Sequence, residues 1–575
     1  MVGVVVLVAT LSPGVALGAA STGAQLVPGL SALNVGTNAV ILSLSCASAG
    51  NCAAGGRYAG ASGNQAFVVD EVNGVWGGVH VVAANHNVGG YAFVTSVSCA
   101  SAGNCVAGGS YADLSSYNHG FVVDEVNGVW GSAIEVAGSL NLGNYANVTS
   151  VSCASAGNCV AAGSYTDAAT NVQAFVATEV NGVWGGAIEV AGSQNVGGFA
   201  SINSVSCPSA GTCVAGGHYA GASGYQAFVV DEVNGIWGNA IEVAANHNAG
   251  GSASVHSVSC TGAGTCVAVG RYADAFTNEQ AFVVDEVNGV WGSAVEVAGA
   301  LNVGGSASAT SVSCASAGNC AVGGTYQDVS GNNQAFVVTQ ANGVWASAQE
   351  VASSLNVDGN AFVTSVSCAS AGNCAAVGYY QELVLGLASG SFIVNMIDGA
   401  WGAATPVPGV AALSTPGQTS EVWAVSCPMN GTCAAGGDVG SNYEGFRGQA
   451  WVLGSELTDF AGPLNVTAVR GASWLRATWS STPNALGYQC TLLTGIGVPS
   501  SFVLRTATPS CTFLGLDQTT AYGVEVSAVT VSETSVASPA WPATHRVLCA
   551  RGRREFARVG VYPVCPADFR TVSSN

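Results

Sequence analysis

Cysteine spacing constrains this chain more than any other feature. Sixteen of its 20 cysteines form eight C-x5-C pairs: Cys46/Cys52, Cys99/Cys105, Cys153/Cys159, Cys207/Cys213, Cys260/Cys266, Cys314/Cys320, Cys368/Cys374 and Cys427/Cys433. First cysteines recur every 53 or 54 residues, with one step of 59 before the last. Self-similarity at such a period means one supersecondary unit repeated, each copy burying its apolar face against its neighbours.

Each copy reads as four short strands. In the second copy they are Val94–Cys99, Cys105–Ser110, Gly120–Val126 and Val129–Val136. Asn127-Gly128 joins the last two, a two-residue hairpin signal that recurs at Asn73-Gly74, Asn181-Gly182, Asn234-Gly235, Asn288-Gly289, Asn342-Gly343 and, as Asp398-Gly399, in the seventh copy. A tryptophan follows each turn (Trp76, Trp130, Trp184, Trp237, Trp291, Trp345, Trp401) and is expected to pack between neighbouring units. Small residues in the first two strands, such as Ser96, Ser98, Ala107, Gly108 and Gly109, suit a crowded centre.

Four antiparallel strands per period is the content of a propeller blade. Over about residues 24–457 the chain resembles secreted bacterial β-propeller repeat proteins. The last copy stops near Ser455, after its third strand, while residues 27–33 (VPGLSAL) match residues 407–413 (VPGVAAL). The expected fold is therefore all-β: an eight-bladed β-propeller over residues 21–457, closed by the N-terminal strand. Copies one to three also resemble copies four to six, as when Tyr58–Gly74 returns almost unchanged at Tyr219–Gly235.

A C-x5-C pair flanking a tight turn sits at facing strand ends, where a bridge contributes about 2 kcal/mol by the chain-entropy estimate. Zinc is the rival, but it needs four ligands around one point, and equivalent turns on neighbouring blades are expected to lie too far apart. Residues 2–18 are apolar and lead into small residues, so residues 1–20 are expected to be a signal peptide; the other reading is a buried strand. Regular cysteine pairs add to the case for a secreted, extracellular or cell-surface protein. No later apolar run is long enough to span a membrane.

From about Gly462 the period stops. Residues 463–545 resemble a fibronectin type III domain: Leu464–Val469 and Trp474–Trp479 as first strands, Tyr488 on the third, and Leu514-Gly515-Leu516-Asp517 leading to Tyr522 at the tyrosine corner. Cys490 and Cys511 depart from that family's usual pattern and are expected to bridge. Residues 546–575 hold six of the 12 basic residues and are expected to be a disordered basic tail, with Cys549 and Cys565 available to pair.

All 12 basic residues are arginine; against 32 acidic ones they leave a net charge of −20, which argues against nucleic acid as a partner. A monomer is expected. On a propeller, the second-to-third and fourth-to-first connections share the face where loop chemistry varies. That face carries Asn85, His86, Asn87, Asp113, Asp167, Asn246, His247, Asn248, Asp274 and Asp328. Such groups could hydrogen-bond sugar hydroxyls or help hold calcium, although no cofactor is required. The main expectation is a non-catalytic protein binding an extracellular glycan, polymer or protein there.

The alternative is an extracellular glycoside hydrolase with its acid and base in the divergent seventh and eighth copies, at Glu382, Glu421, Asp438 and Glu444. The recurrent pairs Asp70/Glu71, Asp124/Glu125, Asp231/Glu232 and Asp285/Glu286 are too numerous to be catalytic, since a reacting pair should be unique. Arg57 and Arg271 stand alone on copies one and five. Nucleophile-elbow, P-loop and metalloprotease motifs are absent, and without lysine there is no Schiff-base chemistry.

Overall fold

The computed structural model describes residues 23–356, 359–382, 388–414, 418–440, 448–454, 466–471, 473–480, 487–494, 498–506, 508–517, 522–529, 538–540, 545–551, 554–560 and 570–574. The expected signal peptide lies outside them. The chain divides into two compact units, one of residues 1–428 and 434–455, the other of residues 429–433 and 456–575.

In the first unit each cysteine pair marks one antiparallel sheet. In the second copy, Ala92–Ser101 pairs with Asn104–Ala112, which pairs with Asn118–Val126. The expected fourth strand is two short ones, Val129–Trp130 and Ile134–Val136, both on Asn118–Val126. Gly131 separates them, its N–H turned onto the Asp124 carbonyl. Asn127 and Gly128 have φ of 52° and 80°, the left-handed pair that a two-residue hairpin turn requires. The first seven copies all build five-stranded sheets this way.

The eighth sheet has four strands, and its outer one comes from the start of the chain: Gln25 and Leu26 pair antiparallel with Val452 and Trp451. The expected closed eight-bladed propeller is nevertheless corrected: among the described residues every sheet is open, and no ladder closes on itself. The reason is chemical. Backbone N–H groups on the first strand of one sheet are taken by serine hydroxyls of the preceding sheet, so no strand continues the ladder. Val97 and Cys99 donate to Ser43 and Ser45, Val151 and Cys153 to Ser96 and Ser98, and Cys46 of the first sheet donates to Ser426 of the eighth. The architecture is a repeat of open, blade-like sheets of four or five strands.

Packing within and between sheets explains the rest of the repeat. A Cβ on Gly109 would sit 2.0 Å from the Phe93 carbonyl oxygen of the neighbouring strand, and one on Gly163 or Gly270 1.9 Å from the Asn147 or Ser254 carbonyl oxygen, so this position demands glycine. Phe67, Phe121, Phe175, Phe228, Phe282, Phe336 and Phe392 are fully buried, each side chain contributing about 1.5–3 kcal/mol by burial. Trp451 holds this place in the eighth sheet, pairing with Gly437 as Phe392 pairs with Gly378. Turn tryptophans reach across to the preceding sheet: Trp130 donates to the Asp70 carboxylate, Trp184 to Asp124, Trp291 to Asp231 and Trp345 to Asp285.

Disulfides link Cys46 to Cys52, Cys99 to Cys105, Cys153 to Cys159, Cys207 to Cys213, Cys260 to Cys266, Cys314 to Cys320 and Cys368 to Cys374, with Cα atoms 3.9–4.1 Å apart. Cys427 and Cys433 are also disulfide-bonded. The second cysteine of every pair is buried: Cys52, Cys105, Cys159, Cys213, Cys266, Cys320, Cys374 and Cys433. The first seven of these join the apolar clusters between sheets, where Cys52 packs with Ile41 and Phe67, and Cys213 with Ile202 and Phe228. The bridges expected from the C-x5-C spacing are thus present, and the second sulfur of each pair is a shielded core atom. Among the described residues, no helix is long and apolar enough to cross a membrane.

In the second unit, Thr467–Arg470, Trp474–Thr478 and Ser510–Leu514 form a three-stranded sheet. Gly487–Thr494, Val498–Thr506, Tyr522–Val529 and Ser538–Ala540 form a four-stranded one. The two share a core of Leu475, Trp479, Tyr488, Phe513, Val524 and Val526, crossed by the Cys490–Cys511 disulfide, and resemble the layers of a fibronectin type III sandwich. Within the expected tail, residues 546–551, 554–560 and 570–574 are described. His545–Arg551 pairs with both Arg554–Gly560 and Arg570–Ser574. Cys565 lies outside the described residues.

Candidate active site

The ten loop residues expected to bind a ligand are not gathered into one site. Asn87 is buried: its amide donates to the Asn64 carbonyl and to Gln65, and its oxygen accepts from the Tyr91 N–H. Asn248 repeats this with Tyr225, Gln226 and Ser252. Asp113 accepts from the backbone N–H groups of Ser115 and Tyr117, Asp167 from those of Ala169 and Asn171. Asp274 and Asp328 close their own loops in the same manner. The Tyr117 N–H above all holds the Asp113 carboxyl below its usual range, and the Gln173 amide does the same for Asp167. Asn85, His86, Asn246 and His247 remain exposed, with each imidazole 5.2 Å from a tyrosine ring, Tyr111 or Tyr272. Among the described residues, no three His, Cys, Asp or Glu side chains are grouped to hold a metal ion.

The repeated Asp-Glu pairs are scaffold. Their aspartates hold the next sheet's tryptophan, and their glutamates are buried. Burial first, then the Asp70 charge, raises Glu125 to about 7; Glu179 (beside Asp124) and Glu286 (beside Asp231) are raised likewise.

Chemistry varies at two strand positions that loop-based reasoning passed over. One is a β-bulge on the first strand, where the register skips a residue: Thr95 between Val94 and Ser96, Thr149 between Val148 and Ser150. The bulged side chain is a clamp. Thr95 donates to the Val148 carbonyl of the next sheet, Thr149 to Ile202, Thr310 to Val363 and Thr364 to Val422. The other is the second-strand residue after the glycines: Arg57, Ser110, Ser164, His218, Arg271, Thr325 and Tyr379. Asp438 holds that place in the eighth sheet, pairing with Ala450 as Tyr379 pairs with Ser391.

At the eighth sheet both positions change together. Val422 accepts from Thr364 as Val363 does from Thr310, so Trp423 occupies the clamp position. Its indole N–H donates instead to the Asp438 carboxylate at 2.9 Å. Glu421 precedes Val422 on the same strand; burial first, then the Asp438 charge, raises its carboxyl to about 7. The Tyr379 ring lies 5.8 Å from that of Trp423 and 5.0 Å from Phe362, and burial with the Glu421 charge pushes its hydroxyl up to about 12. Two coupled carboxyls thus sit beside aromatic rings. Glu421 and Asp438 were legible as candidates; the visible sign of Trp423 was a tryptophan four residues before the first cysteine, where four copies carry threonine (Thr95, Thr149, Thr310, Thr364). Glu444 and the Glu382 side chain lie outside the described residues.

No family model matches the chain, and no curated protein matches it. The expected resemblance to secreted bacterial β-propeller repeat proteins is corrected by the open sheets to a repeat of blade-like sheets. Solved structures give a distant likeness. The β-propeller domain of the Trilobed protease from Pyrococcus furiosus is 9% identical, covering 65% of this chain and 100% of that one at a TM-score of 0.34. A PL25 ulvan lyase is 11% identical, covering 62% and 90% at 0.37. Chaetomium thermophilum Sqt1, bound to the N-terminus of ribosomal protein L10, is 13% identical, covering 73% and 95% at 0.37. At these scores the likeness assigns no activity.

Proposed function

We propose that this is an exported carbohydrate-active enzyme, a glycoside hydrolase whose general acid is Glu421. The coupled Glu421/Asp438 pair beside Trp423 carries this reading: it is absent from the six regular copies, and one of its members stays protonated to about pH 7. Disulfides in all eight copies support an oxidising compartment. In the reaction, the Glu421 carboxyl gives its proton to the glycosidic oxygen as the C–O bond breaks, and the bonding pair leaves with that oxygen. Asp438, held by the Trp423 N–H, stabilises positive charge on the sugar ring and takes a proton from the attacking water, whose hydroxyl completes the anomeric carbon. Trp423 and Tyr379 offer ring faces to the sugar.

A second reading, binding without turnover, is favoured by the exposed Asn85/His86 and Asn246/His247 loops. A polysaccharide hydrolysis screen run with a glycan array separates the two. Turnover abolished in Glu421→Gln supports the hydrolase; array binding at the loops with no turnover of any polymer supports the second reading.

A further inference from the structure

A hollow of about 480 Å³ opens between the fourth and fifth sheets, away from the Glu421 pair in sequence but built on the same variable positions. His218 and Arg271 occupy the second-strand position, and Asn203 and His256 the bulge. Both bulge residues still perform the clamp. The Asn203 amide donates to the Val255 carbonyl at 2.7 Å, and His256 donates from Nδ1 to the Ala309 carbonyl at 3.1 Å. Threonine does this job in other copies, so the scaffold has no need of the larger side chains. What they add is polar capacity: with Nδ1 of His256 donating, its Nε2 is an acceptor, and the Asn203 oxygen is another.

The walls are aromatic. Phe199 stacks on His218 with centroids 5.6 Å apart and meets Tyr225 edge-on at 6.0 Å. No lining residue is acidic, in a chain of net charge −20. Arg271 lines the hollow while its Nη1 contacts Glu279 at 2.7 Å; a guanidinium carries five donors in a fork that suits a carboxylate. Ser306 shares the Glu279 charge from outside the hollow.

We propose that this hollow binds an acidic sugar unit, with Arg271 on its carboxylate, His256 and Asn203 on its hydroxyls, and Phe199 and Tyr225 against the ring. The inference rests on the carbohydrate reading above and names its substrate class: a polymer containing uronic acid. Calorimetric titration of the full chain tests it, with a uronic-acid oligosaccharide and its carboxyl-reduced neutral counterpart as probes. Glu421→Gln serves as the background, so that binding is read without cleavage. Binding of the acidic probe should exceed that of the neutral one by about tenfold or more, and Arg271→Gln should remove the difference. His256→Thr, which installs the residue that other copies use, should fold and weaken both probes. Equal affinity for the two probes, no binding of either, or an Arg271→Gln protein that still discriminates would overturn the proposal. Acid-selective binding with no turnover of any polymer would sink the hydrolase reading alone. Glu421-dependent cleavage of a neutral polymer without acid-selective binding would sink this one alone.

Discussion

The second and eighth sheets place carboxyl groups very differently, although both are built on the same period. In the regular copies a carboxylate meets an indole across the gap between two sheets, as Asp70 meets Trp130, and the contact recurs down the array. In the eighth sheet carboxylate and indole belong to one hairpin, Asp438 and Trp423, at a position where other copies clamp neighbouring sheets together. Repetition therefore marks structural carboxyls here. Departure from the repeat, at the cost of a clamp, marks the candidate chemistry.

The largest effect that would break this contrast is on activity. If Asp438 is the ionised partner, Asp438→Asn should lower turnover by about 10²–10⁴-fold with little change in melting temperature, measured by reducing-sugar release. Loss of folding without a specific loss of turnover would make Asp438 one more scaffold carboxylate.

The regular copies should respond in the opposite way. Trp130→Phe leaves the Asp70 carboxylate without its indole donor and should cost about 1–3 kcal/mol in denaturant unfolding, with turnover unchanged. Replacing Cys99 and Cys105 together by serine should cost about 2 kcal/mol, again without changing turnover. A smaller effect is set by pH. Glu125, Glu179 and Glu286 are raised from 4.5 to about 7, so the folded chain holds protons that the unfolded chain has released. Their contribution is fully present below about pH 4.5 and is lost as pH rises through about 7. The melting temperature should fall between pH 5 and pH 8, and Glu125→Gln should flatten that fall.

The parts legible in the amino-acid order are those written in short-range spacing. The cysteine pairs, the Asn-Gly turns and the return of residues 27–33 as 407–413 each specify a local geometry, and the disulfides, the hairpins and the Gln25–Leu26 pairing follow. Openness of the sheets was not legible, because it depends on serine hydroxyls capping N–H groups about 54 residues away in the next copy. The site was half legible. Unique acids in divergent copies pointed to Glu421 and Asp438, but loops were expected to hold ligand groups, and Asp113 and Asn87 turned out to be spent on their own turns. A bulge aims side chains from within a strand, and nothing in the local pattern announces it until the copies are laid over one another.

The most direct test is the pH dependence of polysaccharide cleavage by the wild-type chain, Glu421→Gln and Glu125→Gln. Wild type and Glu125→Gln should share an alkaline limb near pH 7, as the acid loses its proton, while Glu421→Gln should be inactive across the range. A Glu421→Gln protein with the wild-type rate and limb would contradict the assignment, and the eighth sheet would then be scaffold like the rest.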